Sequence, residues 1–249
     1  MRNVRAKKHL GQHFLNDHSI AEKIVSQLSK KENKILEIGP GMGVLTQFLV
    51  NKELDLEVVE IDEESIFYLR LNYPKLKIKE GDFLQLNLSE IKGNISIIGN
   101  FPYNISSQIL FKSFENRDKV TELVGMFQKE VAERIVSTKG KKRGILSVFL
   151  QAFYDIEYCF TVDPNAFTPI PKVKSGVIKM IRNKREKLEC NEEKFIKIVK
   201  AGYNQRRKTL RNALKSFCLE KNSEIEILLQ KRAEQLEVED FIMITKNAQ

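Results

Sequence analysis

"KILEIGPGMG", residues 34–43, decides how this chain is read. A short apolar run stops at glycine, which is the pattern of a buried strand opening onto a turn. Gly39, Gly41 and Gly43 then alternate with other residues. Glycine lets a backbone turn sharply and approach a ligand where a Cβ would collide. A dinucleotide fingerprint would read G-x-G-x-x-G. The tighter alternation here, preceded by Glu37, fits a nucleoside ligand with no pyrophosphate to cradle. The next apolar run, "LEVVEID" (56–62), reaches Glu60, 21 residues after Gly39. A carboxylate at that place can accept hydrogen bonds from both hydroxyls of a ribose.

Working outward, "LKIKEGD" (76–82), "ISIIGN" (95–100) and "ELVGMFQ" (122–128) read as further buried strands. Helical spacing near 43–52, 63–72 and 105–115 separates the runs. That alternation predicts an α/β fold with a parallel sheet covered on both faces. "DIEYCFTV" (155–162) and "SGVIKMIR" (175–182) read as two late strands that can pair antiparallel at one edge. After Arg182 the strand signals stop, so the chain is expected to divide into residues 1–184 and a small helical domain, 185–249. In the latter, Tyr203, Leu210, Leu214 and Phe217 fall on one apolar stripe of a predicted helix.

The 249 residues, 42% of them hydrophobic, can fill a sizeable core. No run is long and apolar enough for a membrane span, and "MRNVRAKKHLGQHF" lacks the apolar block of a secretory signal, so a cytoplasmic protein is expected. Cys159, Cys190 and Cys218 are scattered, suggesting neither a disulfide framework nor a zinc site. His9, His13 and His18 have no acidic or thiol company that would point to a metal. The balance of 42 Lys+Arg against 33 Asp+Glu leaves +9. That excess is clustered: Arg5, Lys7 and Lys8 near the start; Lys141, Lys142 and Arg143; and Arg206, Arg207, Lys208, Arg211 and Lys215. Clustered positive charge favours a polyanion such as RNA. Arg207, Arg211 and Lys215 share an arc of the predicted helix beside its apolar stripe.

The strand at 95–100 ends in "NFPY", Asn100 to Tyr103, where nothing titrates usefully near neutrality. This suits an aromatic amine such as N6 of adenine, whose lone pair is delocalised into the ring. Two acceptors on its hydrogens, the Asn100 side-chain oxygen and the Phe101 carbonyl, favour a pyramidal nitrogen and aim its lone pair at an electrophile. Pro102 stiffens the loop and holds Phe101 extended. Tyr103 can stack on the base. Phe167 is a candidate second aromatic wall, its alternative being an ordinary core residue. A base presented this way lies outside a helical stack.

With "KKHLGQHFL", "EIGPGMGVLT", "VVEID", "GDFLQL", "GNFPYNISS", "FTPIPKVKS" and "QRRKTLRNAL", the sequence resembles the small-subunit ribosomal RNA adenine N6-dimethyltransferases of the KsgA type over nearly its whole length. The resemblance implies a Rossmann-like methyltransferase fold with a mostly parallel seven-stranded sheet and a small helical domain. It also implies S-adenosylmethionine as donor and two adjacent adenines near the 3' end of small-subunit rRNA as acceptors. Cofactor contacts carry over to His13, Leu15, Gly39, Glu60, Asp82 and Asn100, with Glu37, Gly41, Gly43, Ile61 and Phe83 beside them. Asp82 is expected at the adenine amine, its alternative being a turn cap. The family's usual Asn of "GQNF" is His13 here, and the usual Leu of "NLPY" is Phe101. A role in subunit assembly, the small ribosomal subunit as partner, a monomeric state and no metal complete the expectation. The rivals are an adenine methylase of large-subunit rRNA, a non-catalytic RNA-binding assembly factor and a nucleotide-dependent oxidoreductase.

Overall fold

A computed structural model of the chain describes residues 4–29, 33–50, 52, 54–220 and 222–248. By internal contacts the chain divides into two compact units. One holds the chain up to Ala132 with Ile156–Arg182; the other holds Glu133–Asp155 with the chain from Asn183 on.

The first unit is built on a seven-stranded sheet. After a short strand β1 (Phe14–Leu15) and helix α1 (His18–Val25), the chain lays down β2 (Lys34–Ile38), α2 (Thr46–Val50), β3 (Leu56–Glu60), α3 (Glu63–Asn72) and β4 (Lys77–Glu80). There follow β5 (Ile95–Asn100), α4 (Ser106–Glu115), β6 (Val120–Gln128), β7 (Tyr154–Val162), a short β8 (Phe167–Thr168) and β9 (Ser175–Arg182). The sheet order is β4-β3-β2-β5-β6-β9-β7. The pairs linking β4 through β6 are parallel, and β9 runs antiparallel to β6.

Composition follows position. Central β5, "ISIIGN", is buried along all but its last residue, whereas β4, "KIKE", is charged and half exposed because it closes the sheet on one side. The late strands β9 and β7 are neighbours at the other edge, where β7 is exposed or half-buried between its buried end residues Tyr154 and Val162. The order reverses around β2, which pairs with β3 on one side and β5 on the other, with Glu37 opposite Val58 and Ile98. Such a reversal opens a crevice beyond the carboxyl ends of the strands, and the loops holding Gly39 and Asn100 flank it.

A second, two-stranded sheet pairs Phe14 with Thr168 and Leu15 with Phe167, so the start of the chain is tied to the loop before β9. Alternation along a strand sends neighbours to opposite sides. Leu15 and Phe167 enter the core with Ile98, Val124 and Met126. The expected aromatic wall at Phe167 is corrected accordingly, since its ring is a core side chain, and the Leu15 side chain is likewise almost fully buried, which leaves only its backbone for a cofactor contact.

The second unit contains α6 (Ile145–Gln151), α7 (Glu192–Asn204), α8 (Leu210–Ala213), α9 (Ser223–Gln230) and α10 (Val238–Lys246); the connecting helix α5 (Lys129–Val136) spans the boundary. The single boundary expected at 184/185 therefore misses one segment: 133–155 packs with the late helices. Phe149 of α6 lies 6.3 Å, ring to ring, from Phe195 of α7. The helix expected to run from Tyr203 through Phe217 is broken, since α7 ends at Asn204 and α8 begins at Leu210. Leu210 folds back onto Gly202, where a Cβ would lie 2.8 Å from its Cδ2, and that packing requires the turn. Arg207, Arg211 and Lys215 consequently do not share one helical arc.

Candidate active site

The glycine loop leaves β2 with Gly39, Gly41 and Gly43 all at positive φ, 65°, 56° and 80°. A Cβ at Gly41 would meet the Phe14 ring at 2.9 Å. The buried Glu60 carboxylate, at the end of β3, holds the loop from behind. One oxygen accepts from the Gly41 N–H at 3.0 Å and the other from the N–H groups of Ile61 and Asp62, each at 2.9 Å. Burial pushes this carboxyl up, against the three backbone donors that favour its ionised form. Ile61, half exposed, offers apolar surface beside it. Across the cleft Asp82 caps the turn of Phe83–Gln85 by accepting from the Leu84 N–H at 2.8 Å, so its cap role is observed, while Asp82 and Phe83 both line the cleft.

On the acceptor side, the Asn100 Nδ2 donates to the His13 carbonyl at 2.8 Å. That bond assigns the amide: its nitrogen is committed and its Oδ1 is left as an acceptor. The Phe101 ring is buried in space that Gly99 and Gly125 leave open, edge-on to Phe127 at 5.1 Å. A Cβ at either glycine would collide with the ring, so the side chain anchors the loop while Pro102 and Tyr103 line the cleft. The Tyr103 hydroxyl is 2.7 Å from Ser175 Oγ, and burial raises its pKa; a neutral phenol results. The His13 ring lies 5.5 Å from that of Tyr103, and its Nδ1 is 2.7 Å from the Pro169 carbonyl. A carbonyl only accepts, so Nδ1 carries hydrogen.

The segment from Leu10 to Phe14 forms one wall. Asn104 Nδ2 donates to the His9 carbonyl at 3.3 Å and its amide packs on Gly11. Lys7 forms an ion pair with the buried Asp62, which also accepts from Gln12 at 3.2 Å. Burial pushes the Asp62 carboxyl up, but these partners outweigh it and hold it below the usual range. Phe14, Gln12, Asp62 and Asn104 escaped the sequence reading. The alternation that sends Leu15 inward could have placed Phe14 on the cleft.

Besides Leu15, two expected cofactor residues lie outside the cleft lining, Glu37 and Gly43. Glu37 is buried beneath the loop, where it accepts from Thr46 Oγ1 at 2.7 Å, and burial pushes its carboxyl up to about 8. Gly43 is covered by the Tyr73 ring.

Of the expected RNA contacts, Arg5 and Lys8 are exposed in the first unit, whereas Lys7 is engaged with Asp62. In the second unit Arg206 Nη2 donates to the Lys141 carbonyl at 2.7 Å, joining two basic clusters that lie 65 residues apart in sequence. Lys141, Lys142, Arg207, Lys208 and Lys215 are exposed there, with Lys142 bonded to Glu133. Arg206 also pairs with Glu234, and Arg211 with Glu226. Arg143 is a correction: only 1% exposed, it cannot face a phosphate backbone. Its Nη1 donates to the Ser137 carbonyl at 2.7 Å and to Gln151, fastening the basic loop to the helices.

Among the described residues no group of three His, Cys, Asp or Glu side chains could hold a metal, and no helix is long and apolar enough to cross a membrane. The cleft thus brings together a glycine-lined loop, fixed hydrogen-bond acceptors and an aromatic plate.

The family described as ribosomal RNA adenine dimethylase matches residues 3–249. A relative from Flavobacterium johnsoniae named ribosomal RNA small subunit methyltransferase A is 56% identical over 252 residues, covering 99% of this chain and 97% of its own. One of the same name from Cytophaga hutchinsonii is 56% identical, with 98% of each covered. Among solved structures, a dimethyladenosine transferase from Plasmodium falciparum superposes with a TM-score of 0.78 at 25% identity, over 93% of this chain and 96% of that one. The 23S rRNA methyltransferase ErmE shares the fold, with a TM-score of 0.75 at 21% identity over 94% and 98% of the two chains. The chain belongs to the ribosomal RNA adenine dimethylase family.

Proposed function

We propose that this protein uses S-adenosylmethionine to dimethylate N6 of two adjacent adenines near the 3' end of small-subunit ribosomal RNA. The observation that carries the chemistry is the Asn100 amide, whose nitrogen is tied to the His13 carbonyl so that its oxygen is an acceptor beside Tyr103.

The cleft fits the donor. Gly39 and Gly41 leave room for close approach, Glu60 offers a carboxylate for ribose hydroxyls, and Ile61, Asp82 and Phe83 form an apolar and polar seat for adenine. When bound there, S-adenosylmethionine supplies an electrophilic sulfonium methyl. The protein's own part is to present the nucleophile. Tyr103, held by Ser175, gives the target base a plate to stack on. Asn100 Oδ1 and the Phe101 carbonyl accept the two amine hydrogens, pyramidalise the nitrogen and stabilise the positive charge that develops on it. Proton loss follows transfer, so no general base is needed at the nitrogen. After one methyl group is added, the remaining N–H still satisfies one acceptor and the lone pair is available again.

The joined basic surface of the second unit supports an RNA substrate, and the names of the two bacterial relatives favour the small subunit. The protein should be incubated with undermethylated small subunits and labelled S-adenosylmethionine, and the label mapped. Label on two neighbouring adenines near the 3' end supports the proposal; label only on large-subunit RNA, or none, refutes it.

A further inference from the structure

Lysine side chains ordinarily carry their ammonium to water. Lys112 on α4, partly buried, turns its ammonium onto protein acceptors as well. Its Nζ donates to the Leu84 carbonyl at 2.8 Å and stands 5.5 Å from the centre of the Phe83 ring. Burial lowers its pKa, offset in part by attraction to Asp82 and Glu115. All of its near partners thus belong to its own helix or to the turn that supplies the Asp82–Phe83 side of the cleft. The helix is itself fastened to the acceptor loop: the Ile105 N–H donates to the Pro102 carbonyl at 3.2 Å, and Ser106 Oγ to the Tyr103 carbonyl at 3.1 Å. Adenine seat and acceptor loop are therefore referenced to one rigid element.

We propose that Lys112 is a positioning residue for the nucleoside end of the donor site, holding Asp82 and Phe83 at the height set by α4 through the Leu84 carbonyl and the Phe83 ring. The inference rests on the reading of the cleft as an S-adenosylmethionine site. Without the ammonium the turn keeps its own Asp82 cap and the burial of Phe83 but loses the hydrogen bond that fixes the Leu84 carbonyl to α4. The charge also balances the Asp82 carboxylate without consuming its hydrogen-bonding capacity toward a ligand.

The test compares Lys112→Met and Lys112→Arg with the unaltered protein, titrating S-adenosylhomocysteine and adenosine by calorimetry and measuring steady-state methyl transfer. Lys112→Met should weaken both ligands by about tenfold, as expected for one lost charge-assisted bond to a ligand-bearing turn. The KM for S-adenosylmethionine should rise similarly while kcat at saturation stays within about threefold, and Lys112→Arg should restore most of the affinity. A purely structural staple would lower melting temperature and kcat and leave the KM of the folded fraction unchanged, which would overturn the proposal. Unchanged affinity in Lys112→Met, with the unaltered protein binding normally, overturns it while leaving the donor site intact. If the unaltered protein binds neither ligand, both readings fall. Should Lys112→Met fail to fold, Lys112→Gln takes its place: a raised KM with kcat kept supports the assignment, and an unchanged KM or a loss in kcat alone refutes it.

Discussion

Asn100 Nδ2 and the His13 carbonyl are 2.8 Å apart, joining the end of the central strand to the N-terminal wall of the cleft. The bond orients the amide before any substrate arrives, so its oxygen requires no reorganisation during reaction. Replacing Asn100 with Ala should leave folding nearly intact and lower kcat by about 10²–10³-fold, the cost of one lost transition-state partner, about 2.7–4 kcal/mol. Single-turnover methylation together with a thermal melt checks both parts.

His13 touches Asn100 through its backbone and Tyr103 through its ring. If its imidazole only packs and donates to the Pro169 carbonyl, His13→Asn should retain turnover within about threefold, because an amide can donate to the same carbonyl. A loss of two orders of magnitude in kcat would make the imidazole a participant in proton transfer.

Glu60 has two jobs in the geometry. It accepts from three backbone N–H groups, and it faces the cleft. Glu60→Ala should therefore raise the dissociation constant for S-adenosylmethionine by at least about tenfold, and also lower the melting temperature, because buried donors lose their acceptor at about 1–3 kcal/mol each when unsatisfied. Calorimetry and a melt measured on the same preparation separate the two effects.

Glu37 makes stability depend on pH. Its burial raises the folded-state pKa to about 8, so the folded protein holds this proton more tightly than the unfolded chain does. That stabilisation is complete below the ordinary carboxylate range and is lost as pH rises toward 8. Glu37→Gln is neutral throughout. Its stability relative to the unaltered protein should rise between pH 5 and pH 8, on the order of 2–4 kcal/mol, which denaturant melts at the two pH values measure.

Much of the first unit was legible because buried parallel strands announce themselves: "KILEI", "LEVVE" and "ISIIGN" are apolar runs that stop at glycine or at a functional residue. The residues that met in the cleft, among them Gly39, Gly41, Glu60, Asp82, Asn100 and Tyr103, were those whose position follows from strand ends alone. Failures came where distant segments pair. Nothing local in "HFL" or "AFT" reveals that they form a two-stranded sheet, yet that pairing sends Leu15 and Phe167 into the core. The basic clusters misled in a different way. Charge alone did not reveal that Arg143 is buried or that Lys7 serves Asp62, because a long side chain can satisfy protein acceptors as readily as a phosphate. Asp17 before α1, accepting from Ser19 and Ile20, is a cap signal that was present and unread.

The central claim is that fixed acceptors replace a general base at the attacking nitrogen. The most direct measurement is the single-turnover rate of methyl transfer at saturating S-adenosylmethionine and RNA, followed from about pH 6 to pH 9. The account predicts a rate nearly independent of pH over that range in the unaltered protein and a uniformly lower, equally flat profile in Asn100→Ala. A rate that climbs tenfold per pH unit to a plateau would reveal an ionising base in the cleft and contradict it.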